Sequence, residues 1–175
     1  MNIFYLGPRG TFSEIAANQY FSNSIIKHPK SSIEDVFKSV QESEVAYGVV
    51  PIENSVEGSV NNTLDLLSNS KVLITGEIEL IINQCLLSQE TNLKSVKRIF
   101  GHPQSLAQCK KWLFNNIPYA ELIAVASNTS GALNLKKIGD ACIGAEIIAD
   151  YYSLKILNKN IQDYSNNATR FLVIG

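Results

Sequence analysis

The sequence predicts an α/β protein with a largely parallel sheet, and three observations carry that expectation. Short apolar runs alternate with amphipathic helix patterns, and a tight polar turn joins each pair. Of the 175 residues, 45% are hydrophobic and 18% charged, enough apolar surface to bury a real core. The length suits one ordinary domain or two small lobes sharing a core.

The units follow in order. Asn2–Leu6 reads as a strand, Gly7-Pro8-Arg9-Gly10 as its turn, and Ser13 to Phe21 as a helix. Ala46–Val50 leads through the turn from Pro51 to Gly58 into a helix over Val60–Leu67, with Val60, Leu64 and Leu67 on one stripe. Arg98–Phe100 leads through Gly101-His102-Pro103 into Gln104–Phe114, whose inner face carries Leu106, Cys109 and Leu113; Pro103 suits the first helical position. Leu122–Ala126 runs into Ser127-Asn128-Thr129-Ser130 and a helix through Leu135, and Ala141–Ile143 into Gly144 and a helix to Tyr152. Lys71–Leu87 breaks the rhythm, being extended for most of its length with Gly76 its only breaker. It could run from one lobe into another, and Arg170–Ile174, with no helix after it, could return as a closing strand. Two crossings would leave a cleft, where small ligands usually bind. A single sheet with an ordinary hairpin fits the same pattern.

Several function classes are excluded at this level. Fifteen Lys and Arg against 16 Asp and Glu leave a formal charge of −1, which offers no footprint for nucleic acid or an anionic membrane. No apolar run reaches membrane-spanning length, and Met1–Leu6 does not read as a signal peptide, so the expected compartment is the cytoplasm. Cys85, Cys109 and Cys142 are too scattered for a disulfide framework, and with His28 and His102 they offer no metal-ligand spacing. Neither GxxxxGK[ST] nor GxGxxG is present, so no nucleotide cofactor is expected.

The turns carry what chemistry is legible. At the carboxyl ends of strands they also start helices, so they gather free backbone N–H groups that favour a carboxylate or phosphate. Thr11-Phe12-Ser13-Glu14 fits a capping box, the commoner use of such a threonine hydroxyl. Asn54-Ser55, beside Glu53, could form a donor-rich floor for a ligand carboxylate, or only solve a strand-to-helix connection. Gln104 and Gln108 share a helix face and could both reach a ligand, although such a pair is usually just solvated. Asn166-Asn167-Ala168-Thr169-Arg170-Phe171 is the most unusual polar cluster: it puts a hydroxyl beside a guanidinium that could bind a carboxylate, or merely flank a strand. Composition and periodicity stop at an α/β protein suited to a small anion.

Four stretches, in order along the chain, resemble the catalytic domain of the prephenate dehydratase family. They are Leu6-Gly7-Pro8-Arg9-Gly10-Thr11-Phe12-Ser13-Glu14, Gly48 through Gly58, His102-Pro103-Gln104-Ser105-Leu106-Ala107-Gln108-Cys109, and Asn167-Ala168-Thr169-Arg170-Phe171-Leu172. The resemblance implies a two-lobed, periplasmic-binding-protein-like (type II) fold with the site in the inter-lobe cleft. Its expected lobes are residues 1–78 with 163–175, and 79–162. It implies decarboxylating dehydration of prephenate to phenylpyruvate, water and carbon dioxide in phenylalanine synthesis, without metal or cofactor. Aromatisation drives that reaction, so a protein need only orient the ring, hold carboxylates and hydrogen-bond the leaving oxygen.

Carried over by position, Thr169 is the catalytic residue, a hydrogen-bond donor to the leaving hydroxyl. Arg170 would pair with a substrate carboxylate. Thr11, Asn54 and Ser55 would supply donors from the first lobe, and Gln104, Gln108 and Thr129 from the second. Glu53 would order its turn, since it repels a dianion. Two departures stand out. Relatives often read Leu-Pro-Ile-x-His where this chain has Leu80-Ile81-Ile82-Asn83-Gln84, and Gln84 keeps only a hydrogen bond of a histidine. A usual Tyr-Gly-Leu reads Tyr152-Ser153-Leu154, where serine in a left-handed cap costs about 1 kcal/mol.

Family members commonly continue into an ACT regulatory domain that binds phenylalanine. The chain ends at Gly175, so it is expected either to lack that regulation or to be the catalytic portion of a longer protein. A homodimer stays open, since small cleft enzymes are often dimers but no apolar stripe requires one. Two rivals also stay open: arogenate dehydration, whose ammonium substrate would suit a carboxylate such as Glu53 or Glu57, and a non-catalytic module that binds small anions.

Overall fold

Two compact units, Met1–Ile82 with Asn166–Gly175 and Asn83–Ser165, make up the computed structural model, which describes residues 1–22 and 25–175. The sequence expectation placed the crossings at 78/79 and 162/163.

In the first unit, β1 (Asn2–Leu6), β2 (Lys27–Lys30) and β3 (Ala46–Asn54) run parallel, joined through α1 (Phe12–Tyr20) and α2 (Ile33–Gln41). A two-residue strand β4 (Gly58–Ser59) folds back on β3 and leads into α3 (Asn61–Asn69). β5 (Ile74–Ile81) and the last strand of the chain, β11 (Ala168–Ile174), complete the sheet in the order β2-β1-β3-β11-β5, with β11 antiparallel to both neighbours. Alternation along the strands feeds two cores. Ile3, Tyr5, Val49, Phe171 and Val173 pack with Ala16 and Ala17 of α1, while Phe4, Val50, Leu172 and Ile174 pack with α2. α2 forms because Ile33, Val36, Phe37 and Val40 make one apolar stripe, and Ser32 Oγ accepts Asp35 N at 3.1 Å as its cap. Full burial of Val36 or Phe37 contributes about 1.5–3 kcal/mol each. Gly48 lets the helix close on the sheet, since a Cβ there would stand 2.7 Å from Val36 Cγ1.

The second unit repeats the plan. β7 (Arg98–Gly101), β8 (Glu121–Ala124) and β9 (Asp140–Gly144) are parallel, and β6 (Cys85–Ser88) runs antiparallel between β9 and β10 (Lys155–Asn158), giving the order β10-β6-β9-β7-β8. The helices are α4 (Pro103–Gln108), α5 (Lys110–Asn116), α6 (Asn128–Leu133) and α7 (Glu146–Tyr152). In each sheet the antiparallel inner strand, β6 or β11, is the first strand after a crossing between units. That connectivity is the type II, periplasmic-binding-protein-like arrangement. Asp140 opens β9 with its carboxylate almost fully buried. Burial pushes its pKa up, but the Lys137 N–H, the Arg98 guanidinium and the Lys136 N–H outweigh burial and hold it below the usual carboxylate range.

Several elements differ from the sequence expectation. β2, α2 and β10 were not assigned: β2 reads Lys-His-Pro-Lys, an edge strand without apolar alternation. β3 runs on through Pro51 to Asn54 because it bulges at Ile52 and keeps its pairing with β11, Arg170 opposite Glu53 and Phe171 opposite Pro51. The single helix expected over Gln104–Phe114 is two. It breaks at Cys109, and α5 starts afresh where the Asp163 carboxylate accepts Lys111 N at 2.9 Å and Trp112 N at 3.0 Å. Ser153 takes the left-handed conformation expected of it, φ 52°, at the end of α7.

Candidate functional site

At the carboxyl end of β3 the chain turns through Asn54, and the start of β11 lies beside it. Asn54 is buried and its amide is saturated. Its Oδ1 accepts the backbone N–H of Val56 at 3.0 Å and of Glu57 at 3.1 Å. Backbone N–H groups only donate, so this sets the orientation of the amide. The two Nδ2 hydrogens therefore point at Asn167 Oδ1 and Thr169 Oγ1, both 2.8 Å away, with Ala168 O a longer third acceptor at 3.2 Å. Thr169 Oγ1 is an acceptor in that contact, and no described residue accepts from its hydroxyl, whose proton is left to donate elsewhere. Asn167 is 1% exposed, and its Nδ2 has no hydrogen-bond partner among the described residues. Asn167 lies in the Asn167–Leu172 motif, and only the pairing of β11 with β3 shows what its side chain does.

The other expected residues of this unit are engaged internally. Thr11 caps α1: its hydroxyl donates to Leu6 O at 3.0 Å and accepts Glu14 N at 3.4 Å. Glu14 does not close the capping box on Thr11 N; its Oε2 takes Gly10 N at 2.6 Å. Ser55 clips the start of β11, donating to Asn166 O at 3.2 Å and accepting Ala168 N at 2.9 Å. Strand alternation separates the neighbours Thr169 and Arg170. Thr169 shares the α1 face with Phe171, and Arg170 the opposite face with Leu172. The Arg170 guanidinium there is bracketed by carboxylates, with Nε and Nη2 on Glu77 at 3.2 and 2.9 Å and Nη1 on Glu53 at 2.9 Å. Hydrogen bonding from Arg170 holds the Glu77 carboxyl below its usual range.

The second unit carries its own buried polar cluster. Gln84, 2% exposed just before β6, donates through Nε2 to Ser105 Oγ at 3.3 Å and Gln108 Oε1 at 3.4 Å, while its Oε1 has no hydrogen-bond partner among the described residues. Asn128 Nδ2 donates to the same Ser105 Oγ at 2.8 Å, and Asn128 Oδ1 accepts His102 N at 2.9 Å. Gln104 and Gln108 both lie in the short α4, Gln104 exposed, and Thr129 is buried in the first turn of α6. Ser105 lies in the His102–Cys109 motif, Asn128 in the turn before α6 and Gln84 where the chain departs from the family pattern, and only the fold brings them together.

Both clusters consist of amides and hydroxyls that do not titrate near neutral pH, an environment that donates hydrogen bonds rather than exchanging protons. The three thiols are buried, which pushes Cys142 up to about 12 and raises Cys85 and Cys109, so none is a ready nucleophile. Among the described residues no group of three His, Cys, Asp or Glu side chains could hold a metal ion, and no helix is long and apolar enough to cross a membrane.

A family model described as prephenate dehydratase matches residues 3–175. The chain is similar to the bifunctional chorismate mutase/prephenate dehydratase of Pseudomonas aeruginosa, 44% identical over 177 residues that cover 100% of this chain and 48% of that protein. It is also similar to the prephenate dehydratase of Methanocaldococcus jannaschii, 38% identical over 180 residues that cover 99% of this chain and 64% of that one. Among solved structures, prephenate dehydratase in complex with L-Phe from Arthrobacter aurescens matches with a TM-score of 0.90 at 30% identity, covering 100% of this chain and 60% of that one. The chain spans about half the length of the first curated relatives it matches.

Proposed function

The chain belongs to the prephenate dehydratase family, and from that premise we propose that it converts prephenate to phenylpyruvate, water and carbon dioxide, a step toward phenylalanine. The bond from the ring to its carboxylate breaks, its electron pair enters the ring, and the para hydroxyl departs with the C–O pair. One proton must be supplied to make that hydroxyl water; the carboxylate leaves as carbon dioxide.

The Asn54–Thr169 contact carries this reading. An amide of set orientation donates to Thr169 Oγ1 at 2.8 Å, which aims the Thr169 proton outward and strengthens it as a donor. A hydroxyl is far too weak an acid to give up its proton outright, so Thr169 stabilises charge growing on the leaving oxygen while the proton comes ultimately from solvent. Asn167 Oδ1 holds the other Nδ2 hydrogen of the same amide, which fixes the amide against Thr169. Thr11 and Ser55 shape the turns of the first unit. Arogenate dehydration is the second reading: Glu53, one of the two carboxylates suited to an ammonium substrate, accepts from Arg170.

Incubating the protein with prephenate and reading phenylpyruvate in alkali tests the proposal, beside Thr169→Ala and an arogenate control. Loss of an aimed donor should lower kcat roughly 10²–10³-fold with the fold retained. Turnover at the spontaneous rate by the parent protein would overturn the activity, and full turnover by Thr169→Ala would overturn the role of the hydroxyl.

A further inference from the structure

Resting on the proposed dehydration, we infer that Arg170 is a positioning residue, a clamp across three strands that holds the Thr169 end of β11, rather than an anchor for a substrate carboxylate. Three of its five N–H donors are committed, Nε and Nη2 to Glu77 on β5 and Nη1 to Glu53 on β3. The reach to Glu77 is diagonal, since Arg170 stands directly opposite Glu79 and Leu172 opposite Glu77. The clamp falls where the backbone ladder is weakest. Opposite Arg170 and Phe171, β3 presents Glu53 and Pro51, so Ile52 is the extra residue of the bulge and Pro51 has no N–H to give. Arg170 is the residue immediately before this defect, and Thr169 precedes Arg170.

Charge and direction argue the same way. Arg170 with two carboxylates carries a formal charge of −1, which does not attract a dianion. The alternation that turns Thr169 toward the α1 face turns Arg170 to the other one. The guanidinium acts on the reaction through the strand it holds.

The test separates KM from kcat in Arg170→Met, Arg170→Lys, Glu77→Gln and the double variant Arg170→Met/Glu77→Gln, each checked by circular dichroism. Exposed ion pairs add little stability, so the thermal midpoints should stay within roughly 3 °C of the parent. Displacing the hydroxyl should lower kcat about tenfold or more in Arg170→Met while KM stays within about threefold. Glu77→Gln should lower kcat in the same direction, the double variant should lose no more than Arg170→Met alone, and Arg170→Lys, which keeps the charge but loses the fork, should fail to restore kcat. A tenfold rise in KM for Arg170→Met, restored in part by lysine and absent from Glu77→Gln, would overturn the inference. Amide hydrogen exchange over Thr169–Phe171 needs no substrate: faster exchange in both Arg170→Met and Glu77→Gln supports the clamp even if prephenate is not turned over, and unchanged exchange in both refutes it.

Discussion

Asn54→Asp is the sharpest test of how the site is built. The substitution changes little but the donor: a carboxylate oxygen still accepts Val56 N and Glu57 N, while the other replaces Nδ2 at 2.8 Å from both Thr169 Oγ1 and Asn167 Oδ1. The Thr169 hydroxyl must then turn and donate to the carboxylate, and the Asn167 amide must flip to do the same. Two donated bonds worth about 1 kcal/mol each are lost and two charge-assisted ones are gained. Burying the new charge, with a carboxylate oxygen now about 3.2 Å from the Ala168 carbonyl oxygen, offsets that gain, so stability should fall by about 2 kcal/mol, or roughly 4–8 °C in Tm. Activity should fare differently. The proton that Thr169 offered outward is now bound inward, and losing one preorganised donor costs about 2.7–4 kcal/mol in the transition state, a kcat roughly 10²–10³-fold lower. Because the Asn54 amide has no hydrogen or lone pair left for a ligand, KM should move less than about threefold. Phenylpyruvate formation under saturating prephenate, with a melting curve on the same sample, gives both numbers. A kcat within threefold of the parent in a folded variant would refute the reasoning. So would a large rise in KM at unchanged kcat, which would make Asn54 a direct substrate contact.

Two further outcomes concern stability. Ser153 sits at φ 52° with its N–H bonded to Ala149 O, so Ser153→Gly should remove left-handed strain of about 0.5–1 kcal/mol and raise Tm by roughly 1–4 °C by calorimetry. Asp140 has a folded pKa below its ordinary value of 3.8, so its contribution is complete above that value and is lost as pH falls through the depressed one. Asp140→Asn should cost about 3 kcal/mol at pH 7, by leaving Arg98 unpaired, and should flatten the acid limb below about pH 4 in urea titrations at stepped pH.

Much of the fold was legible in the sequence because its signals are local. Ile3 and Tyr5 against Phe4 alternate at the period of a strand buried on both faces, and Thr11 announces the start of α1 by its hydroxyl. α2 went unassigned although its stripe of Ile33, Val36, Phe37 and Val40 is local, whereas the other differences have no local signal. β2 has no apolar alternation and exists because β1 offers it a parallel edge. The break at Cys109 is invisible in the apolar stripe of Leu106, Cys109 and Leu113. It arises because Asp163, more than fifty positions away, supplies the cap of a second helix.

The sequence alone determined the α/β class, part of the succession of strand, turn and helix, and the four motifs that mark the family, since each depends on side-chain type and spacing over a dozen residues or fewer. Only the tertiary structure decided what the polar residues of those motifs do. Thr169 and Arg170 are neighbours in sequence and part company because successive strand residues face opposite sides of a sheet. Asn54 and Thr169, 115 positions apart, meet because β11 returns to pair with β3, and it is that pairing that spends the Asn54 amide and leaves the Thr169 proton to be used.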